Sequence, residues 1–221
     1  GIVLAVLLGY VLEWVFFSYL YTRDHLQQVL MTYGLILVFE ELRSILLGDD
    51  VHGVKPPAWL EGSFPLGDVM TYPTYRLFIS AVCLVVAALL YLVISRTRLG
   101  MMIRAGVDDR AMLAASGVNV QLVFALTFAI GAGLAGLAGV VGGTALSVSP
   151  GEDTRYLLAS LVVVIVGGMG SVVGAAIGAL LIGLAEQFGL AYAPTYSVVF
   201  TFVIMVVALA FKPRGLMGKA A

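Results

Sequence analysis

Arg96, Arg98, Arg104 and Arg110 gather with the acidic pair Asp108–Asp109 in the stretch RTRLGMMIRAGVDDRAMLAASGVNV, Arg96 to Val120. A charged stretch of this kind, with long apolar runs on both sides, has to meet something in water. Asp108 or Asp109 can cap a short helix, its carboxylate accepting the free amide protons of the first turn. That helix is predicted to run through Arg110, Met112, Leu113 and Ala115. Gly117 suits the left-handed residue that ends it. About two turns would then lie along a membrane surface, with Met112 and Leu113 available to a partner's groove. On composition alone, a solvated loop is the competing reading.

Glu40, Glu41 and Arg43 lie inside an apolar run, where ionisable groups are functional candidates. Glu40 and Arg43, three apart, can pair on a helix, or the group can reach toward the outer surface. Glu13 and Glu186 lie near the ends of apolar runs and are expected at the interface. Ser171 can cap a helix that follows GGMGS, Gly167 to Ser171; such a helix start presents free amides and a positive dipole end to a carboxylate. A purely structural kink is the alternative there. His25 and His52 fall in different loops, lone Cys83 lies in an apolar run, and no Cys/His/Asp cluster suggests a metal. No Ser/His, Asp/Asp or HExxH arrangement suggests an intramembrane enzyme. No Gly-x-x-x-x-Gly-Lys-Ser/Thr phosphate loop occurs.

The elements that position these residues follow from composition. Of the 221 residues, 61% are hydrophobic and 11% charged, against roughly 25% charged in a soluble domain. The fold class is all-α, a polytopic helical membrane protein forming a single transmembrane domain over residues 1–221. About 20 mainly apolar residues cross the hydrocarbon core. Spans are expected at Ile2–Leu20, about Val29 to Leu47, Leu77–Ser95, Leu122–Leu146 and Ser197–Phe211. Gly48 to Tyr75, rich in proline, is predicted to be an irregular loop. The apolar region Tyr156–Leu190 is long for one span and short for two. Its glycines should break it into two short helices, re-entrant or thin and tilted. Irregular backbone at membrane depth must be buried in protein or line a cavity, so Gly167, Gly168, Gly170 and Ser171, with Glu40, are the candidate translocation path.

Cytoplasmic loops hold an excess of Lys and Arg. Arg96–Arg110 and the tail with Lys212, Arg214 and Lys219 are therefore expected inside. The acidic loops Gly48–Tyr75 and Ser147–Arg155 are expected outside. Gly131, Ala135, Gly139 and Gly143 recur every four residues, as do Gly170, Gly174 and Gly178. Such faces permit close helix contact, within the chain or at a subunit interface. The sequence opens inside an apolar run without a basic flank, which reads as a chain whose earlier spans precede it.

The stretch from Arg96 through GLAGV resembles the cytoplasmic loop and following span of permease subunits of branched-chain amino acid ABC importers. The likeness rests on Thr97, Arg98, Gly100, Arg104, Ala105, Asp108, Asp109, Ala114, Ala115, Gly117, Val118 and Asn119. VIVGGMGSVVGAAIGALLIGLAE and FKPRGLMG resemble the family too, LEWVFFSYL and Glu40–Glu41–Leu42 more loosely. The family's opening spans are absent, and Met112 stands where members often have Ala. The resemblance implies that the helix near Asp108–Gly117 docks in a cleft of a separate ATPase subunit. Arg104, Asp108, Asp109, Arg110, Met112, Ala114, Ala115, Gly117 and Asn119 would form this coupling surface. It further implies a second permease subunit, an extracytoplasmic solute-binding protein, a small-molecule substrate, and the lipid of a bacterial inner membrane, with the C-terminus cytoplasmic. No cofactor is expected on this chain, ATP being used by partner subunits, and no nucleic acid. Permeases for urea, amides or sugars, and a channel or scaffold working without ATP, are the alternatives.

Overall fold

The computed structural model describes residues 1–20, 24–48, 50, 53, 57, 60, 62–66, 70–146, 151–168, 170–192, 194, 197–212 and 215–217. Arg23, His52, most of the 48–62 stretch, residues 147–150, Met169, Arg214 and Lys219 lie outside the described residues. Ten α-helices are described: α1 (Ile2–Leu12), α2 (Ser18–Leu20), α3 (His25–Leu47), α4 (Thr74–Arg96), α5 (Arg98–Asp108), α6 (Arg110–Ala115), α7 (Val120–Leu146), α8 (Glu152–Gly167), α9 (Val172–Tyr192) and α10 (Ser197–Phe211). A π-helical turn, Glu13–Phe17, joins α1 to α2 in one rod. The chain is an all-α polytopic membrane protein. Among the described residues, four helices have the length and apolarity to cross a bilayer: Ile2–Leu20, Thr74–Arg96, Val120–Ala145 and Val172–Tyr192. α3 has 23 residues but carries Glu40, Glu41 and Arg43. α10, at 15 residues, rises about 22 Å, short of the roughly 30 Å hydrocarbon core.

Contacts divide the chain into two units, Gly1–Val86 with Leu92–Pro150, and Ala87–Tyr91 with Gly151–Ala221. In the first, α1 and α7 pack antiparallel through small residues. A Cβ on Gly9 would strike Ala132, one on Gly136 would strike Ala5, and one on Gly133 would stand 2.9 Å from Val6. Gly1, Ala5 and Gly9, four apart, form the α1 ridge, and Glu13 continues it. Four-residue steps on an α-helix drift by about 40°. The π-helical turn winds the chain less per residue and keeps Phe17 on α7, its ring 4.8 Å from that of Phe128. Glu13 is thereby enclosed by protein, 1% exposed. The Tyr75 hydroxyl donates to the Val141 carbonyl at 3.0 Å, tying the start of α4 to the end of α7.

Gly143, the last of the four-residue stripe, is half-buried, but Gly131, Ala135 and Gly139 do not pack within the described residues. All three are exposed, and a methyl group added at Gly131 or Gly139 would meet nothing within 4 Å. The neighbouring face, Ala132 and Gly136, takes α1 because α1 offers small residues at matching levels. The loop before α4 also departs from expectation: Ser63–Leu66 pairs antiparallel with Met70–Pro73, Phe64 opposite Tyr72 and Pro65 opposite Thr71. Each strand of a two-stranded ribbon is an edge, so Pro65 and Pro73 lose little by donating nothing.

In the second unit α8 and α9 form an antiparallel hairpin of close backbone contact. A Cβ on Gly167 would meet the Gly174 carbonyl carbon at 2.5 Å and the Ala175 nitrogen at 2.7 Å, and one on Gly178 would meet the Val163 carbonyl at 2.8 Å. Val162, Val166 and Ile182 form the core, with Ile204, Met205 and Ala208 of α10 packed against it. The Arg155 guanidinium pairs with the Glu186 carboxylate at 2.6 Å at the far end of the same two helices. α8 begins four residues before the predicted span, because Gly151 (φ +85°) supplies a left-handed entry and an acidic residue such as Asp153 suits a helix start. The two helices are not equally short: α9, at 21 residues, can cross by itself.

Candidate functional site

The corner between α4 and α7 is built from two helices, where the sequence predicts a single one over Arg110–Ala115. Thr97 alone separates α4 from α5. Its hydroxyl donates to the Val93 carbonyl at 2.6 Å and accepts the Gly100 amide at 3.2 Å, capping α5. A Cβ on Gly100 would strike the Ile94 carbonyl, so this tight reversal requires glycine. α5 then turns Leu99, Met102, Ile103 and Gly106 inward and leaves Met101, Arg104, Ala105, Val107 and Asp108 exposed.

Asp109, not Asp108, is the cap of α6. Its Oδ1 accepts the amides of Ala111 at 2.8 Å and Met112 at 3.1 Å. Asp108 is the last residue of α5. At the other end Gly117 has φ +80°, and its amide donates to the Ala114 carbonyl at 3.0 Å. Asn119 Oδ1 accepts the Leu122 amide at 3.2 Å and starts α7. α6 is therefore stopped at both ends, six residues long. Leu113 points inward, 7% exposed, while Met112 projects into solvent, 71% exposed. Ala114 and Ala115 are exposed beside it.

Arg110, expected among the outward residues, also reaches back to the membrane span. Its guanidinium carbon stands 4.4 Å from the centroid of the Phe124 ring in α7. Phe124 carries no signal in the sequence, since an aromatic early in an apolar span looks like any lipid-facing residue. A substitution of Asp109 by Ala is expected to cost α6 about 1 kcal/mol. Hydrogen exchange should then quicken about fivefold at the α6 amides while α7 and α9 stay as protected as before.

The glycine break is the second candidate. Gly168 (φ +98°) and Gly170 (φ +81°) reverse the chain, and Ser171 Oγ accepts the Gly174 amide at 3.0 Å, capping α9. A helix end leaves its last carbonyls unpaired. Here the tail after α10 supplies the donors, Leu216 N–H to the Val166 carbonyl at 2.8 Å and Met217 N–H to the Gly167 carbonyl at 3.0 Å. Gly215, at φ +80°, packs directly on the Gly168 backbone. Gly167 and Gly168 are thus buried against protein, whereas Gly170 is exposed and Ser171 half-buried. The break lies at the tip of the hairpin beside Lys212, at the end of α10 rather than midway along it. Glu40, distant in sequence from the break, is half-buried on α3. Arg43 Nη1 donates to the Gly48 carbonyl at 3.4 Å where α3 ends. Among the described residues no group of three or more His, Cys, Asp or Glu could hold a metal.

A model of the family described as branched-chain amino acid transport system / permease component matches residues 1–209. The high-affinity branched-chain amino acid transport system permease protein BraD of Pseudomonas aeruginosa is 32% identical over 219 residues, covering 96% of this chain and 70% of BraD. The permease protein LivH of Escherichia coli, of the same description, is 29% identical over 225 residues, covering 99% of this chain and 72% of LivH. A probable branched-chain amino acid transport permease protein of Methanocaldococcus jannaschii is 26% identical over 152 residues, 64% of this chain and 48% of that protein. No solved structure matches.

Proposed function

This chain belongs to the family of permease components of branched-chain amino acid transport systems, and from that premise we propose that it is a membrane subunit of an ATP-driven importer for branched-chain or related amino acids. Its work is passage and not bond chemistry. A second permease chain completes the path through a bacterial inner membrane, and a solute-binding protein delivers the substrate from outside. The α5–α6 corner and the C-terminus face the cytoplasm, where separate ATPase subunits hydrolyse the ATP.

One observation carries this reading. α6 is a short helix, capped by Asp109 and ended by Gly117, that presents Met112 to solvent between two long apolar helices. A short, fixed-length helix joined to the spans by tight turns can pass a push on Met112 into them as a rigid-body motion, as alternating access requires. Arg104 and Asp108 are exposed charges on the preceding helix α5 and can fix the orientation of a partner.

The assembled complex, purified through a tag on this chain, should carry an ATPase subunit. Met112→Asp places a charge where an apolar groove is expected, and should cut both ATPase recovery and substrate-stimulated ATP turnover about tenfold with normal membrane insertion. Wild-type recovery and turnover in Met112→Asp would remove α6 as the docking element. Uptake of labelled leucine, compared with labelled urea, tests the substrate class.

A further inference from the structure

We propose that Phe124 is a positioning residue, clamped by Arg110, through which displacement of α6 is handed to the membrane span α7. Three elements meet on its ring. Arg110, the first residue of α6, lies over the face at 4.4 Å. A Cβ on Gly106 of α5 would stand 3.5 and 3.6 Å from the ring edge at Cε2 and Cζ, and 3.1 Å from Leu113 Cδ2 of α6. The ring itself is fixed to the opening turns of α7. α5 therefore passes the ring edge at ordinary van der Waals range, and Leu113 of α6 lies nearer still to the same backbone position.

The placement of Arg110 has a physical reason. A cation in the first turn of a helix opposes the helix dipole, so the dipole gives no reason for an arginine at this position. The gain is across elements, where a guanidinium over an aromatic face is attracted by the ring's negative π cloud. A guanidinium is planar and stacks, which an ammonium does not do equally well. Beyond Phe124, α7 meets α1 by near-contact of backbones at Ala132 with Gly9 and Gly136 with Ala5. Close-packed contacts of that kind transmit displacement with little slack. Movement of α6 would thus carry α7 and α1 together, with the Phe124 ring as the joint.

This inference rests on α6 being the ATPase-docking helix, and the experiment keeps the two apart. The complete importer, reconstituted with its ATPase subunits and binding protein, is compared for ATPase recovery and for substrate moved per ATP hydrolysed. Phe124→Leu keeps apolar bulk and removes the π face; Arg110→Gln removes the cation from an exposed position that folding tolerates. Phe124→Leu, outside the coupling surface, should recover ATPase within twofold of wild type, and in both variants substrate moved per ATP should fall about fivefold. Phe124→Tyr restores the wild-type ratio and Arg110→Lys falls between. The double variant Arg110→Gln/Phe124→Leu should be no worse than either single one, as for partners in one contact. An unchanged ratio in Phe124→Leu and Arg110→Gln overturns the joint, and so does a Phe124→Tyr variant as poor as Phe124→Leu. Loss of ATPase recovery in Phe124→Leu alone also overturns it, since the ring would then serve docking. Absence of ATPase from the wild-type complex instead defeats the docking reading on which the joint depends.

Discussion

A Gly174→Leu chain is expected to enter the membrane and yet fail to hold α8, α9 and α10 together. The closest contact of that unit is backbone on backbone, Gly174 against the Gly167 carbonyl, with Met217 Cβ 3.0 Å from where a side chain would start. Neither main chain can rotate away as a flexible side chain could. The helices must part by an ångström or more, which forfeits a quarter to a half of each dispersion contact along the seam. Val166, 0% exposed, would lose its enclosure, and the tail its carbonyl partners. Overpacking of this kind costs about 3 kcal/mol, equivalent to a fall in Tm of about 10 °C for a chain of this size. Gly139→Ala is the matching control, since that position meets open space and Ala favours a helix by up to about 1 kcal/mol. Thermal melting of both variants in detergent decides the matter; a Gly174→Leu chain that melts with the parent would mean the seam is looser than described.

Glu13→Lys is expected to be as damaging by a different route. Glu13 stands on the α1 ridge that meets α7, 1% exposed and next to the Phe17–Phe128 pair. A lysine there is longer than the space and cannot extend to water from the inner face of the rod. Disrupting a buried charged or polar arrangement costs about 3–5 kcal/mol, so the α1–α7 pair should be lost at ordinary temperature. Glu13→Gln preserves size and hydrogen-bonding capacity and should stay within about 1 kcal/mol of the parent. Chemical denaturation of the two variants measures the gap; equal stability would show that Glu13 is not enclosed.

These two positions show where a sequence is readable and where it is not. The long apolar runs, the break at GGMGS and the ending at Gly117 are legible because each is set by local physics: transfer to lipid, missing Cβ atoms, a left-handed turn. Asp109 as a helix cap is legible for the same reason, although its neighbour Asp108 offers an equal carboxylate. α5 is hidden because Gly100 and Gly106 look like helix breakers. Gly100 is required by something remote, the Ile94 carbonyl, and Gly106 lies against Leu113 and Phe124 from two other elements. The small-residue stripe on α7 marks the right helix, but within the chain it is the adjacent face that meets α1. Spacing alone cannot tell Gly131–Ala135–Gly139 from the adjacent Ala132–Gly136 line until the partner ridge Gly1–Ala5–Gly9 is set beside it. That ridge carries the same four-residue spacing, and its continuation to Glu13 is the available sign that the carboxyl is enclosed. Phe124 gives no sign at all, since its importance comes from three separate segments arriving at one ring.

The strap formed by Gly215, Leu216 and Met217 has a consequence for biosynthesis. The carbonyls of Val166 and Gly167 receive their donors from amides about fifty residues later in the chain. At about 5–20 residues per second, the ribosome adds those residues only several seconds after α8 has been made. During that interval the α8–α9 hairpin has two main-chain acceptors whose native donors do not yet exist. Because the strap pairs through its backbone, substitutions at Leu216 or Met217 leave this timing unchanged. Loss of the segment would leave those two carbonyls without their native donors for good.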